Sequence, residues 1–213
     1  MNTQRFNFLK SLGFNPKLII DIGAHVGEWN YHIKSIFPDA KIKSYEENPL
    51  CENYLKNANI DYKICLLGDK EVEQVDFYVN PNDLLSTGNS LYLELTTHFS
   101  DFKIFKLNMY TLDNQLKEDE RKVDLLKLDV QGAELLILEG SKNTLKRTEF
   151  VLLEVNIVQY NKDSPLFAEV IKYMDDIGFI VFDIIEIHPY NNYLLQIDIL
   201  FSRKDSNFNL KLG

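Results

Sequence analysis

The chain is poor in cysteine, short of positive charge and free of long apolar runs, and each shortage removes a class of protein. Its two cysteines, Cys51 and Cys65, fall in different expected elements and lack C-x-x-C or His/Cys ligand spacing, so neither a disulfide framework nor a zinc site is expected. Lys and Arg number 23 against 32 Asp and Glu, for a net charge of −9. No broad basic face is then available for phosphate backbones, and a nucleic-acid partner is not expected. No apolar run approaches a bilayer span, and Met1–Lys10 is too polar for a signal peptide, so a cytoplasmic protein without a membrane partner is expected. Internal repeats, low-complexity tracts and linker-like stretches are also missing.

What is present is ordinary for a folded enzyme. Hydrophobic residues make up 45% and charged residues 26% of 213 positions, enough for a single domain over residues 1–213 with a full core. Apolar runs alternate with amphipathic stretches, the pattern of βαβ units around a parallel sheet buried on both faces. Strands are expected at Leu18–Ile22, Lys41–Glu46, Ile60–Leu66, Val123–Asp129 and Glu149–Val155. A helix over Gly27–Phe37 stops at Pro38, and Asn48-Pro49 starts another. Residues 72–110 break the rhythm and read as an insertion beside the sheet edge. Phe179–Ile187 and Leu194–Ser202 flank the polar loop His188–Tyr193 and read as an antiparallel hairpin.

The most informative stretch is Leu18–Gly27, an apolar run that ends in an acid and then two spaced glycines. It predicts a strand passing through a tight turn into a helix, where Gly23 and Gly27 let backbone N–H groups approach a nucleotide-type cofactor. The second strand ends in Glu46, where a ribose diol would be held. A dinucleotide turn needs G-x-G-x-x-G, whereas this turn has no third glycine and carries His25 where a pyrophosphate needs room. Asp21 would repel phosphate but suits a ligand bearing an amino group and a sulfonium, which is S-adenosylmethionine (SAM).

Ligands in open parallel sheets sit at the carboxyl ends of the strands. That rim collects Asp21, Glu46, Leu67–Asp69, Asp129 and Glu154. Lys127 and Glu154 are lone charges in apolar strands, and a cross-strand ion pair between them is the economical expectation. A second carboxylate near Asp129 would permit a divalent ion, though no spacing demands one and no metal ligands are assigned. Of the histidines, His25 lies in the turn, His32 on the following helix and His98 in the insertion. His188 is the candidate for the rim as a general base. Asp113 is expected to cap a helix.

Asp21–Gly27, Tyr45–Pro49, Thr111–Asp113, Asp124–Glu134, Leu138–Gly140 and Glu154 occur in an order that resembles FkbM-type SAM-dependent methyltransferases, over about residues 18–203. The block Lys127-Leu-Asp-Val-Gln-Gly-Ala-Glu134 carries most of the likeness. His25 and Glu47 depart from the family's usual Asn and Pro. The resemblance implies an α/β fold of class I, Rossmann-like: a seven-stranded, mostly parallel sheet in the order 3-2-1-4-5-7-6, strand seven antiparallel, helices on both faces. It implies methylation of a hydroxyl on a saccharide or other small metabolite. Asp21, Gly23, Ala24 and Gly27 would line the methionine part of SAM, Glu46 would hold the ribose hydroxyls, and Leu67, Gly68 and Asp69 would lie near the adenine, with His25 and Glu47 also among the cofactor-binding residues. Asp129 would border both cofactor and acceptor, with Gln131 and Glu134 on the acceptor side. Asp129, His188 and Glu154 are the catalytic candidates, and Ser86–Ser90 would cover the pocket. A nicotinamide-dependent oxidoreductase and a non-catalytic SAM-binding subunit stay open as alternatives.

Overall fold

The structure, a computed structural model, describes residues 2–211. After a short helix α1 (Thr3–Ser11), strand β1 (Leu18–Ile22) is buried along its whole length, Asp21 included. A strand covered on both faces belongs inside a parallel α/β sheet. Gly27, at φ +93°, turns the chain into α2 (Glu28–Ile36); a Cβ there would come within 2.2 Å of Ile60 Cδ1. β2 (Lys41–Glu46), α3 (Glu52–Asn57) and β3 (Tyr62–Ile64) follow. β4 (Leu66–Leu67), β5 (Val72–Val79) and β6 (Lys103–Tyr110) belong to the insertion. α4 (Leu112–Gln115), β7 (Val123–Leu128), α5 (Glu134–Glu139), α6 (Lys142–Lys146) and β8 (Thr148–Asn156) return to the regular pattern. α7 (Phe167–Asp176), β9 (Phe179–Tyr190) and β10 (Tyr193–Arg203) complete it.

The main sheet has seven strands in the order β3-β2-β1-β7-β8-β10-β9, with β10 antiparallel to both neighbours. This is the expected 3-2-1-4-5-7-6 arrangement. One face packs on α1 and α2 through Phe6, Leu9, Ile33, Ile36, Leu125 and Leu152. The other packs on α4–α7 through Leu112, Ile137, Leu138, Leu145, Val170 and Met174. Each fully buried side chain of this kind contributes roughly 1.5–3 kcal/mol, which fixes the strand ends in place.

Two expectations are corrected. The third strand is not continuous over Ile60–Leu66: it stops at Ile64, and Leu66–Leu67 crosses to a separate three-stranded sheet, β4-β6-β5. Leu66 and Leu67 pair with Met109 and Tyr110 there, burying both leucines. The polar loop His188–Tyr193 is also absent. β9 runs to Tyr190 and β10 starts at Tyr193, joined by Asn191 and Asn192 at φ 47° and 66°. Two consecutive left-handed asparagines form a type I′ hairpin turn whose twist matches the strands, so the ladder extends to the turn and takes His188 into a strand.

Candidate active site

The turn after β1 uses up its own donors. Gly23 N and Ala24 N donate to Tyr45 O at 3.0 and 3.1 Å, and Gly27 N donates to Ala24 O at 2.9 Å. His25 N donates to Glu46 Oε2 at 2.6 Å. Gly23 is required here, since at φ +75° a Cβ would lie 1.9 Å from Asp129 O. The expectation that this turn offers N–H groups to a ligand is therefore corrected: Tyr45 O and Glu46 at the end of β2, and Ala24 O within the turn, take these donors.

Asp21 lies beneath the turn, fully buried, and does not reach the crevice. It accepts from Asn30 Nδ2 at 2.5 Å and pairs with Lys127 Nζ at 3.1 Å. Asp21 and Lys127 are in register between β1 and β7, and a directly opposed pair on one face is the shortest bridge available. Lys127 also donates to Gly23 O at 2.9 Å and approaches Asp129 Oδ2 at 3.5 Å. Burial pulls its pKa down, but Asp21 and Asp129 outweigh that and hold it above the ordinary lysine range. The expected Lys127–Glu154 pair does not form, since Lys127 registers with Leu152 and Glu154 lies two residues further on.

The crevice above this layer is narrow, about 50 Å3, and is lined by Gly23, His25, Glu46, Glu47, Asn48, Ser86, Thr87, Asn89, Asp129 and Gln131. Glu46 is buried and takes His25 N–H on Oε2 and Asn48 N–H, at 2.9 Å, on Oε1. Burial raises its pKa and that of Glu47, the latter further because Glu46 is beside it. The insertion supplies the far wall. His25 Nε2 meets Leu85 O at 2.7 Å, Asn48 Nδ2 donates to Leu84 O at 2.8 Å, and Ser90 Oγ donates to Val130 O at 3.0 Å. Ser86–Ser90 thus covers the crevice, fastened from both sides.

Leu67, Gly68 and Asp69, expected beside an adenine, do not line it. The crossing of β4 to the second sheet carries Gly68 and Asp69 under Met109 and Gly140, while Leu67 lines a smaller adjoining cavity with Glu47, Ile22 and Val130. Ala24 and Gly27 are packed behind the turn. Glu134 faces inward rather than toward an acceptor: its Oε1 accepts Val130 N and Gly132 N at 3.1 and 3.2 Å, pinning the loop after β7. Asp113 does cap a helix, though α6 rather than its own, accepting Asn143 N and Thr144 N at 2.8 Å each. His32 is exposed on α2. The His98 side chain lies outside the described residues.

Asp129 closes β7 and opens onto the crevice with its side chain 42% exposed. Gln131 Nε2 links it, at 3.3 Å, to Glu154 Oε2, at 2.7 Å. Glu154 Oε2 also accepts Gln196 Nε2 at 2.7 Å. Opposite Glu154 in the ladder stands Asp198, which bonds His188 Nε2 at 3.0 Å. Burial, then Asp129 and Asp198, push the Glu154 carboxyl well up from its usual range. Asp129, Glu154 and His188 are therefore brought to one side of the site. Asp198 and Asn48 were missed. Asp198 carries the signal that marked Lys127 and Glu154, a lone charge in an apolar strand, whereas Asn48 is indistinguishable in sequence from a helix cap.

With this geometry in place, the family described as methyltransferase FkbM domain matches residues 21–181. Methyltransferase sdnD of Sordaria araneosa is 25% identical over 80% of this chain and 76% of its own length. The solved methyltransferase FkbM of Methylobacillus flagellatus superposes with a TM-score of 0.54 at 13% identity, over 86% of this chain. The chain spans only 43% of that protein. Magnesium protoporphyrin IX methyltransferase of Synechocystis, solved with bound SAM, gives a TM-score of 0.53 at 13% identity, over 94% of this chain and 77% of that one.

Proposed function

Because the chain belongs to the FkbM methyltransferase family, whose cofactor is SAM, we propose that it transfers the SAM methyl to a hydroxyl of a neutral saccharide or similar small polyol. One observation carries the reading. The turn's N–H groups are engaged internally while the walls present Glu46, Glu47 and Asp129, which suits a sulfonium and an ammonium and disfavours a pyrophosphate. Glu46 would hold the ribose hydroxyls, with Gly23 and His25 beside the methionine part. The same acidity extends past Asp129 to Glu154 and Asp198, so an uncharged acceptor fits better than a sugar phosphate or nucleotide.

Bound SAM supplies an activated methyl, and little further chemistry is required. The chain's residues must bring the acceptor oxygen into line with the C–S bond, exclude water and take a proton. Asp129, the exposed carboxylate at the end of β7, would take the proton of the acceptor hydroxyl. Ser86–Asn89 would close the site to water. Calorimetry with SAM, S-adenosylhomocysteine (SAH) and NAD+ tests the cofactor, and transfer of a labelled methyl to neutral glycosides tests the reaction. Binding of NAD+ in place of SAH would overturn the reading. SAH binding with no transfer to any neutral polyol would leave a cofactor-binding subunit instead.

A further inference from the structure

Glu154, His188 and Asp198 come from three adjacent strands, β8, β9 and β10, and the ladder brings them together. Asp198 registers with Glu154, and His188 registers with Gln196, two positions along the same face. One ligating atom from each lies within 4.8 Å of the other two. Two carboxylate oxygens and an imidazole nitrogen in such a triangle form a donor set for a divalent ion of the first transition row or Mg2+.

We propose that these three side chains hold a divalent cation, Mn2+ being the best match to a mixed oxygen and nitrogen set. Two features besides the triangle support it. Glu154 is oriented from behind: Gln131 Nε2 and Gln196 Nε2 both donate to the one oxygen Oε2, at 2.7 Å each. Amide donors that hold a carboxylate in one rotamer are the outer-shell support a ligand needs. The local charge is also unbalanced. Asp129, Glu154 and Asp198 gather at this corner, where the cationic groups are His188, bonded to Asp198, and the buried Lys127, committed to Asp21, Asp129 and Gly23 O. A cation here would offset that excess. It would sit where an acceptor with two neighbouring oxygens could reach it, so that chelation selects a diol and sets one hydroxyl beside Asp129. That role rests on the methyltransferase reading; the existence of the site does not.

The test is Mn2+ titration of the whole chain, followed by loss of the free-ion electron paramagnetic resonance signal, with Mg2+ and Zn2+ as competitors. One equivalent should bind without SAM or acceptor. Asp198→Asn and His188→Gln should each weaken Mn2+ by at least about tenfold, while SAH affinity measured by calorimetry stays unchanged and shows both variants folded. Absence of stoichiometric binding, or binding equally tight in the Asp198→Asn/His188→Gln double variant, would overturn the site. Because SAH binding is read separately, metal without SAH would count against the methyltransferase reading, and SAH without metal against this one.

Discussion

Glu46, Asp129 and Glu134 are all acids at strand or helix ends, yet their surroundings give them three different tasks. Glu46 serves two backbone donors, so Ala would strand His25 N–H and Asn48 N–H as well as remove the ribose contact. Glu46→Gln keeps the shape and an acceptor but loses charge assistance, and SAH affinity should fall roughly tenfold, about 1–2 kcal/mol. Unchanged calorimetric affinity would refute the ribose assignment. Asp129 is no helix cap, since Glu134 takes the N–H groups of the loop after β7. Asp129→Asn should lower kcat by about 10²–10⁴-fold with SAH affinity near wild type. Near-normal turnover would move the proton to His188. Glu134 is buried, and that burial raises its pKa from 4.5 to about 7, past what its backbone bonds offset. The folded chain holds this proton more tightly than the unfolded chain. The stability tied to it is complete below pH 4.5 and lost as the pH climbs through about 7, a change on the order of 3 kcal/mol. Glu134→Gln should remove that share of the decline, so the drop in stability between pH 5 and pH 8, read by urea unfolding, should be smaller for the variant than for wild type, and an equal drop would refute the assignment.

Elements are positioned by charges inside the sheet as much as by its apolar faces. Side-chain alternation puts Asp21, Lys127, Glu154, Asp198 and His188 on one face of β1, β7, β8, β10 and β9. Lys127→Met should destabilise the fold by roughly 3–5 kcal/mol, because Asp21 is left buried and unpaired. Asp21→Asn added to it should recover part of the loss, and additive costs in urea unfolding would show that the pair is not coupled. These lone charges were legible in sequence as burial needing a partner, as was the Asp21–Gly27 turn, whereas the strand order followed from the family resemblance. The identity of the partner was not, because register decides it: a two-residue offset separates Lys127 from Glu154 and puts Asp21 directly opposite. The exit of Leu66–Leu67 to the second sheet was equally hidden, since a continuous apolar run does not record which neighbour takes its hydrogen bonds. Asn191-Asn192 could have been recognised as a two-residue turn; reading His188–Tyr193 as loop overlooked that both can adopt positive φ.

At the scale of the whole molecule, the insertion packs on the main body through apolar side chains such as Leu67 and Leu91, while its segment Ser86–Ser90 covers the crevice edge. The contacts there are mostly polar, His25 to Leu85, Asn48 to Leu84 and Ser90 to Val130, with Leu85 packed on the small cluster of Ala24, Cys51 and Leu55, and Asn82, Asp83 and Leu84 exposed. A segment held mostly by polar contacts opens at a small fraction of the global unfolding free energy, whereas β1, buried throughout, and β7, buried but for Asp124, open only with the whole fold. A ligand in the crevice contacts both parts, so its binding energy should be felt first where local opening is easiest. SAH at about a hundred times its Kd contributes roughly 2.7 kcal/mol to every opening that releases it. Amides of Leu85–Asn89 should therefore exchange about tenfold or more slowly with SAH than without, and the melting temperature should rise by several degrees. If SAH raises the melting temperature yet leaves exchange at Leu85–Asn89 unchanged, the segment does not close over the cofactor, and water must be excluded by another part of the chain.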